Sequence, residues 1–246
     1  MEVSERLIVA ADYDPRKLGG IIGVKNEVLK LAESLKGLGV IIKVNSVLRA
    51  RGYELIEGLH GLGLRVFADL KLIDIPNTME TDGAMLAEVK PELVTVMCCA
   101  GIDGMRAVQK AIGGTTEVLG VSVLTSLDEE ECQAIFTCST KAGVLRFARM
   151  AQLADLGGLI LSSQEAEMLG AKQELVLTLN TPGIRPDWSL VAGDDQKRVM
   201  TPGKAIKAGV KRIVVGRPIT QAKDPRGAVE KTLQEIEEAL KESSTV

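Results

Sequence analysis

Asp69, Lys71 and Asp74 fall within one short stretch, Phe67-Ala68-Asp69-Leu70-Lys71-Leu72-Ile73-Asp74. Two earlier apolar runs also end on charge, the first at Asp12 and the second at Lys43. In an extended segment residues two apart point the same way, so Asp69 and Lys71 are expected to share one side of the chain. Asp74 then opens the loop beyond. Carboxylates and lysines placed alternately favour each other's charged forms. Such a preset array suits proton transfer, since nothing has to reorganise as charge develops on a substrate. The same residue types also make ordinary salt bridges. Their clustering on consecutive strand ends is what favours chemistry.

A second group lies toward the other end of the chain. Thr181-Pro182-Gly183-Ile184-Arg185-Pro186 and Val215-Gly216-Arg217-Pro218 each combine glycine with arginine after an apolar run. Glycine lets backbone N–H groups approach a phosphate, and arginine supplies a bidentate charged partner. Gln196, in Gly193-Asp194-Asp195-Gln196-Lys197-Arg198, is placed to act as a further donor from a covering loop. The competing reading makes the glycines helix caps and Arg185 a solvated loop charge.

Composition removes several other chemistries. The chain has 246 residues and a single histidine, His60. A zinc site of three histidines, or of two with a carboxylate, is therefore impossible within one chain. A Ser-His-Asp or Cys-His centre could use only His60, which sits near a helix end away from the charged strand ends. One Trp, two Tyr and three Phe are too few to suggest a base-stacking surface. The net charge of −3 argues against a general nucleic-acid or polybasic membrane binder. Cys98, Cys99, Cys132 and Cys138 form no C-x-x-C pair, and the Met97-Cys98-Cys99-Ala100 run reads as core packing in a reducing compartment. Met1 to Arg6 is polar and acidic, without a signal-peptide core, and no run nears the ~18 apolar residues of a membrane span. A soluble, cytoplasmic protein is expected.

The elements that must hold these residues alternate along the chain. Strands are predicted over Leu7 to Ala11, Val40 to Val44, Arg65 to Leu70, Leu93 to Met97, Val118 to Leu124, Gly158 to Leu161, Leu175 to Leu179 and Arg212 to Val215. Each is followed by a segment long enough for a helix. Alternation of this kind implies parallel strands joined by crossovers, and eight units in a chain of this length fit a single (β/α)8 TIM barrel over residues 1–246. An open doubly wound sheet is the alternative, but the glycine-rich turn it often carries after its first strand is missing. Charged residues at strand ends then acquire meaning, because active sites of this barrel sit at that rim and phosphate sites commonly use the loops after strands seven and eight. Residues 180–202 show no clear period, and a loop of that length is usually functional or disordered.

The same residues carry a resemblance that covers nearly the whole chain. From Val9-Ala10-Ala11-Asp12-Tyr13 to Val215-Gly216-Arg217-Pro218-Ile219-Thr220 the sequence resembles the orotidine 5′-monophosphate (OMP) decarboxylase family. Its most specific block is Asp69-Leu70-Lys71-Leu72-Ile73-Asp74-Ile75-Pro76-Asn77-Thr78. The shorter D-x-K-x-x-D pattern is shared with sugar-phosphate relatives, 3-keto-gulonate-6-phosphate decarboxylase and hexulose-phosphate synthase. The Ile75 to Thr78 extension, the Thr181 to Pro186 stretch and the Asp195 to Arg198 stretch point to the orotidylate branch.

The resemblance implies formation of UMP and carbon dioxide in pyrimidine synthesis, with no metal and no organic cofactor. It makes Lys71 the acid that protonates C6 and sets Asp69 against the substrate carboxylate. Lys43 holds Asp69 and a ribose hydroxyl, and Asp12 accepts a hydrogen bond from the ribose. Thr125 contacts the pyrimidine edge, while Arg185, Gln196, Gly216 and Arg217 bind the 5′-phosphate. Asp74 and Thr78 are implied to complete the neighbouring active site of a homodimer, and the 180–202 loop to grip the phosphate. Two departures touch packing only: Met97 stands where many members have His, and Asn45 where Gly is common. Two other readings stay open, a Mg²⁺-dependent sugar-phosphate decarboxylase or aldolase of the same superfamily and a catalytically silent nucleotide-binding barrel.

Overall fold

Runs of Leu, Ile and Val with almost no polar interruption are what a strand needs when both of its faces are covered. In the computed structural model, which describes residues 1–170, 174–189 and 200–243, these runs become eight parallel strands that follow chain order around a closed barrel. They are β1 (Leu7–Ala10), β2 (Ile41–Val44), β3 (Arg65–Leu72), β4 (Leu93–Met97), β5 (Glu117–Val121), β6 (Gly158–Ile160), β7 (Thr178–Thr181) and β8 (Arg212–Val215). Helices alternate with them. The predicted barrel class is therefore the observed one. Among the described residues, no helix is long and apolar enough to cross a membrane.

Two compact units share the chain. The first comprises Met1–Asp69, Gly183–Lys207 and Arg212–Val246. In it β1 lies between β8 and β2, with Ile8 opposite Val214 on one side and Ile41 on the other. β3 pairs with β2 so that Lys43 stands opposite Phe67. Every residue of β1, β2 and β8 is buried. Helix Ile21–Leu35 covers them with a stripe at helical spacing, Val24, Val28, Leu31, Ala32 and Leu35. Helix Pro225–Ser243 buries Ala228, Val229, Thr232, Ile236 and Ala239 in the same way.

The second unit comprises Leu70–Pro182 and Ala208–Lys211. Here β4, β5, β6 and β7 pair in sequence, with Thr95 opposite Leu119 and Ile160 opposite Asn180. Helices Pro76–Val89 and Gly101–Ile112 pack closely. A Cβ added at Gly83 would come within 3.0 Å of both the Val108 carbonyl oxygen and the Ala111 Cβ. A side chain at this position would press on the facing backbone and force it to give way.

Three strands differ from expectation by two residues or more. β3 runs two residues further than predicted, to Leu72, and β5 stops at Val121. β7 is displaced toward the C-terminus, occupying Thr178–Thr181. Leu175 and Val176, apolar enough to look like strand, belong to the connection instead, and Val176 is 84% exposed. Asn180 and Thr181, polar enough to look like loop, are strand residues with no exposure at all.

Candidate active site

In the first unit, the strand ends bring Asp12, Lys43 and Asp69 together. Ala10 pairs with Lys43 across β1 and β2, and the Ala11 N–H donates to the Lys43 carbonyl, so Asp12 follows directly beside the lysine. The Lys43 Nζ lies 2.7 Å from Asp12 Oδ2 and 3.2 Å from Asp69 Oδ2. The side chains of Lys43 and Asp69 are 8% and 10% exposed, whereas that of Asp12 is 53% exposed. Two carboxylates and one ammonium leave this trio with surplus negative charge. A buried ion pair seldom adds stability over an apolar equivalent, because desolvation offsets the Coulombic gain. Its presence at a strand end therefore points to chemistry.

Lys71 belongs to the second unit and follows Asp69 by two residues on β3. Its φ is +50°, in the left-handed region, although it is a strand residue and not a glycine. That conformation costs roughly 1–2 kcal/mol. This backbone departs from the extended form that simple strand alternation assumes. The Lys71 N–H donates to the Thr95 hydroxyl oxygen at 2.9 Å. Thr95 is fully buried on β4. No sequence signal marked it, since a buried threonine in an apolar strand is an ordinary β-former.

Beyond Lys71 the chain turns outward. Asp74 is exposed, and its Oδ1 accepts from the Ile75 N–H at 2.7 Å. Pro76 starts helix Pro76–Val89 at a position where its missing N–H costs nothing, which sets half-buried Thr78 in the first turn. Ile73 and Ile75, on either side of Asp74, are 56% and 65% exposed. Burial, and then the charge of Asp74, raise the Asp82 carboxyl above its ordinary range. Thr125 lies exposed in the loop after β5.

The phosphate candidates on the first unit divide. Arg185 is 5% exposed. Its Nη1 donates to the Ile184 carbonyl at 3.1 Å, and its backbone N–H donates to the Met200 carbonyl at 3.0 Å. It is thus not the solvated loop charge of the competing reading. Gly183 precedes it at φ +77°, a turn that disfavours side chains. Gly216 caps the short helix Arg217–Thr220, and its carbonyl accepts from the N–H groups of Ile219 and Thr220. Arg217 is exposed. Gln196 and the Asp195 to Arg198 stretch lie outside the described residues, as does the whole of 190–199 within the 180–202 loop.

Other groups take structural roles. Burial drives the Cys98 thiol well above its ordinary range and also raises Cys99, so neither has the character of a reactive thiolate. Tyr13, next to Asp12, is pushed up to about 12 by burial and by the charge of Glu27. His60 lies in the last turn of helix Glu54–Gly61. Trp188, the single tryptophan, docks on helix Pro225–Ser243, with the Lys231 Nζ 5.8 Å from its ring centroid.

The barrel and this set of strand-end charges define an α/β-barrel protein with a lysine–carboxylate site. Residues 5–232 match the model of the orotidine 5′-phosphate decarboxylase / HUMPS family, and the chain belongs to that family. An orotidine 5′-phosphate decarboxylase of Syntrophus aciditrophicus is 38% identical over 97% of this chain and 96% of its own length. One from Streptococcus pyogenes serotype M3 is 40% identical over 73% of this chain and 78% of its own. Among solved structures, orotidine 5′-phosphate decarboxylase from Lactobacillus acidophilus superposes with a TM-score of 0.77 at 28% identity. That match covers 94% of this chain and 99% of the other.

Proposed function

We propose that this protein decarboxylates orotidine 5′-monophosphate to UMP and carbon dioxide in de novo pyrimidine synthesis, using its own side chains and no cofactor. The observation that carries this reading is the buried Lys43 held between Asp12 and Asp69. The trio is ionic, desolvated on two of its three members and already assembled, so its charges need no reorganisation during reaction. Asp69 faces the substrate carboxylate and disfavours it relative to the transition state, in which that charge leaves as carbon dioxide. As the C6–carboxylate bond breaks, its electron pair stays on C6, and Lys71 delivers a proton there. Lys43 holds Asp69 in place and contacts a ribose hydroxyl, with Asp12 accepting from the ribose. Thr125 reads the pyrimidine edge. Arg185, Gln196, Gly216 and Arg217 take the 5′-phosphate, whose binding energy is then available at the reacting carbon. The burial of Arg185 supports this role, because a desolvated guanidinium binds an anion more strongly than a solvated one.

We further place the enzyme as a cytoplasmic homodimer of single-domain barrels in which Asp74 and Thr78 complete the partner's site. Exposed Ile73 and Ile75 beside Asp74 support an interface at this point. Four free cysteines support a reducing compartment.

The test is the loss of OMP absorbance on adding purified protein in EDTA. Turnover is expected to persist. An absolute need for Mg²⁺, or activity only on a sugar phosphate, overturns the assignment in favour of the sugar-phosphate branch. Lys71→Ala should abolish turnover while UMP still binds. Near-normal decarboxylation by that variant would remove Lys71 from its role.

A further inference from the structure

The proton-donating lysine of the proposed reaction sits on a backbone that L-residues avoid, and a buried side chain is bonded to it there. Lys71 has φ +50° within β3. Non-glycine residues held in this region persist only where their surroundings over-determine them. The surroundings here include the Thr95 hydroxyl oxygen, which accepts the Lys71 N–H at 2.9 Å. Thr95 is well suited to hold a backbone in place. It has no solvent exposure, its flanking residues Val94 and Val96 have none, and it stands in register opposite Leu119 of β5. As a β-branched residue in a packed strand it has little χ1 freedom, so its oxygen stays fixed in space. The bond reaches the main chain of Lys71, not its ammonium. It therefore governs where the lysine begins and which way it sets out, through the main chain and not through the Nζ.

We infer that Thr95 is a positioning residue for Lys71: its hydroxyl fixes the left-handed kink of β3 and thereby aims the ammonium at the carbon to be protonated. The inference rests on the reading of Lys71 given above. Without the hydroxyl, the Lys71 N–H loses this bond and the residue has reason to relax toward extended backbone. The strand would keep its pairing and its packing, but the lysine would leave from the wrong angle. A displacement of about 1 Å in a catalytic group is enough to lower turnover by about 10²-fold.

The variants that test this are Thr95→Val, which keeps the shape and removes the oxygen, and Thr95→Ser, which keeps the oxygen. With OMP as substrate, kcat of Thr95→Val should fall by about 10²-fold. Its KM, and its affinity for UMP measured by calorimetry, should stay within about threefold, because ribose and phosphate contacts are untouched. Thr95→Ser should recover most of the lost kcat. Thr95→Ala also lacks the hydroxyl and adds no bulk; it carries the same expectation and is the variant to read if the valine form does not fold. Lys71→Ala, assayed alongside, separates the two claims. If Lys71→Ala is inactive while Thr95→Val and Thr95→Ala keep wild-type kcat, the positioning role is overturned and the lysine's role stands. If Lys71→Ala decarboxylates OMP normally, the reading of the lysine fails first. Equal losses in Thr95→Ser and Thr95→Val would also overturn the inference, since the oxygen would then not be the feature that matters.

Discussion

Lys43 joins a buried carboxylate to an exposed one, and its energetic and chemical roles can be pulled apart. Lys43→Met removes the ammonium that lies 3.2 Å from the buried Asp69 carboxylate. Removing one member of a buried pair costs about 3–5 kcal/mol, so the urea midpoint should drop and decarboxylation should vanish. Adding Asp69→Leu to the same chain replaces the pair by apolar groups, which is often neutral. The double variant should recover most of the stability and none of the activity. Recovery of both would mean that the pair is structural. These charges were legible in the sequence because strand-end lysines and acids stand out in apolar runs. Thr95 was not, because its function lies in one oxygen whose acceptor role appears only when β4 meets the kink at Lys71. The kink itself was equally hidden, since nothing about a Leu-Lys-Leu triplet announces a positive φ.

Periodicity located every strand, and burial explains where it misplaced the ends. The apolar pair Leu175-Val176 drew the predicted β7 too early. Polar residues can occupy the real strand because their groups are satisfied inside. The Asn180 amide donates to the Leu159 carbonyl at 3.2 Å and to the Thr178 carbonyl at 3.0 Å. Helix packing in the second unit depends on a residue that hydropathy ignores. Gly83 admits helix Gly101–Ile112 at a distance where any Cβ meets the Val108 carbonyl. Gly83→Val, with backbone as its obstacle, should destabilise by about 1–3 kcal/mol. In a domain of this size that is a fall in Tm of about 2–4 °C per kcal/mol. An unchanged Tm would show that the two helices can separate without cost. Because Asp74 and Thr78 enter and begin helix Pro76–Val89, the same variant should also lower activity.

The shared-site proposal concerns assembly and calls for a test in which neither parent works. Asp74→Ala and Lys71→Ala proteins should each be inactive. Mixed in equal amounts and allowed to exchange subunits, half the dimers become hybrids, each with one site that keeps both residues. About a quarter of wild-type activity should return, as a two-fold interface requires. No recovery despite exchange confirmed by mass spectrometry would confine each site to one chain. What the sequence alone determined was the alternation of buried strands with covering helices, hence the barrel. It also determined which charged residues stand at strand ends, and the block from Asp69 to Thr78 that marks the family. These are local properties, carried by residue type and spacing. Tertiary structure decided that Lys43 lies between two particular carboxylates, that Arg185 is buried, and that a threonine from the next strand holds the lysine's backbone. Each of those depends on register between strands far apart in the chain, which no local pattern records.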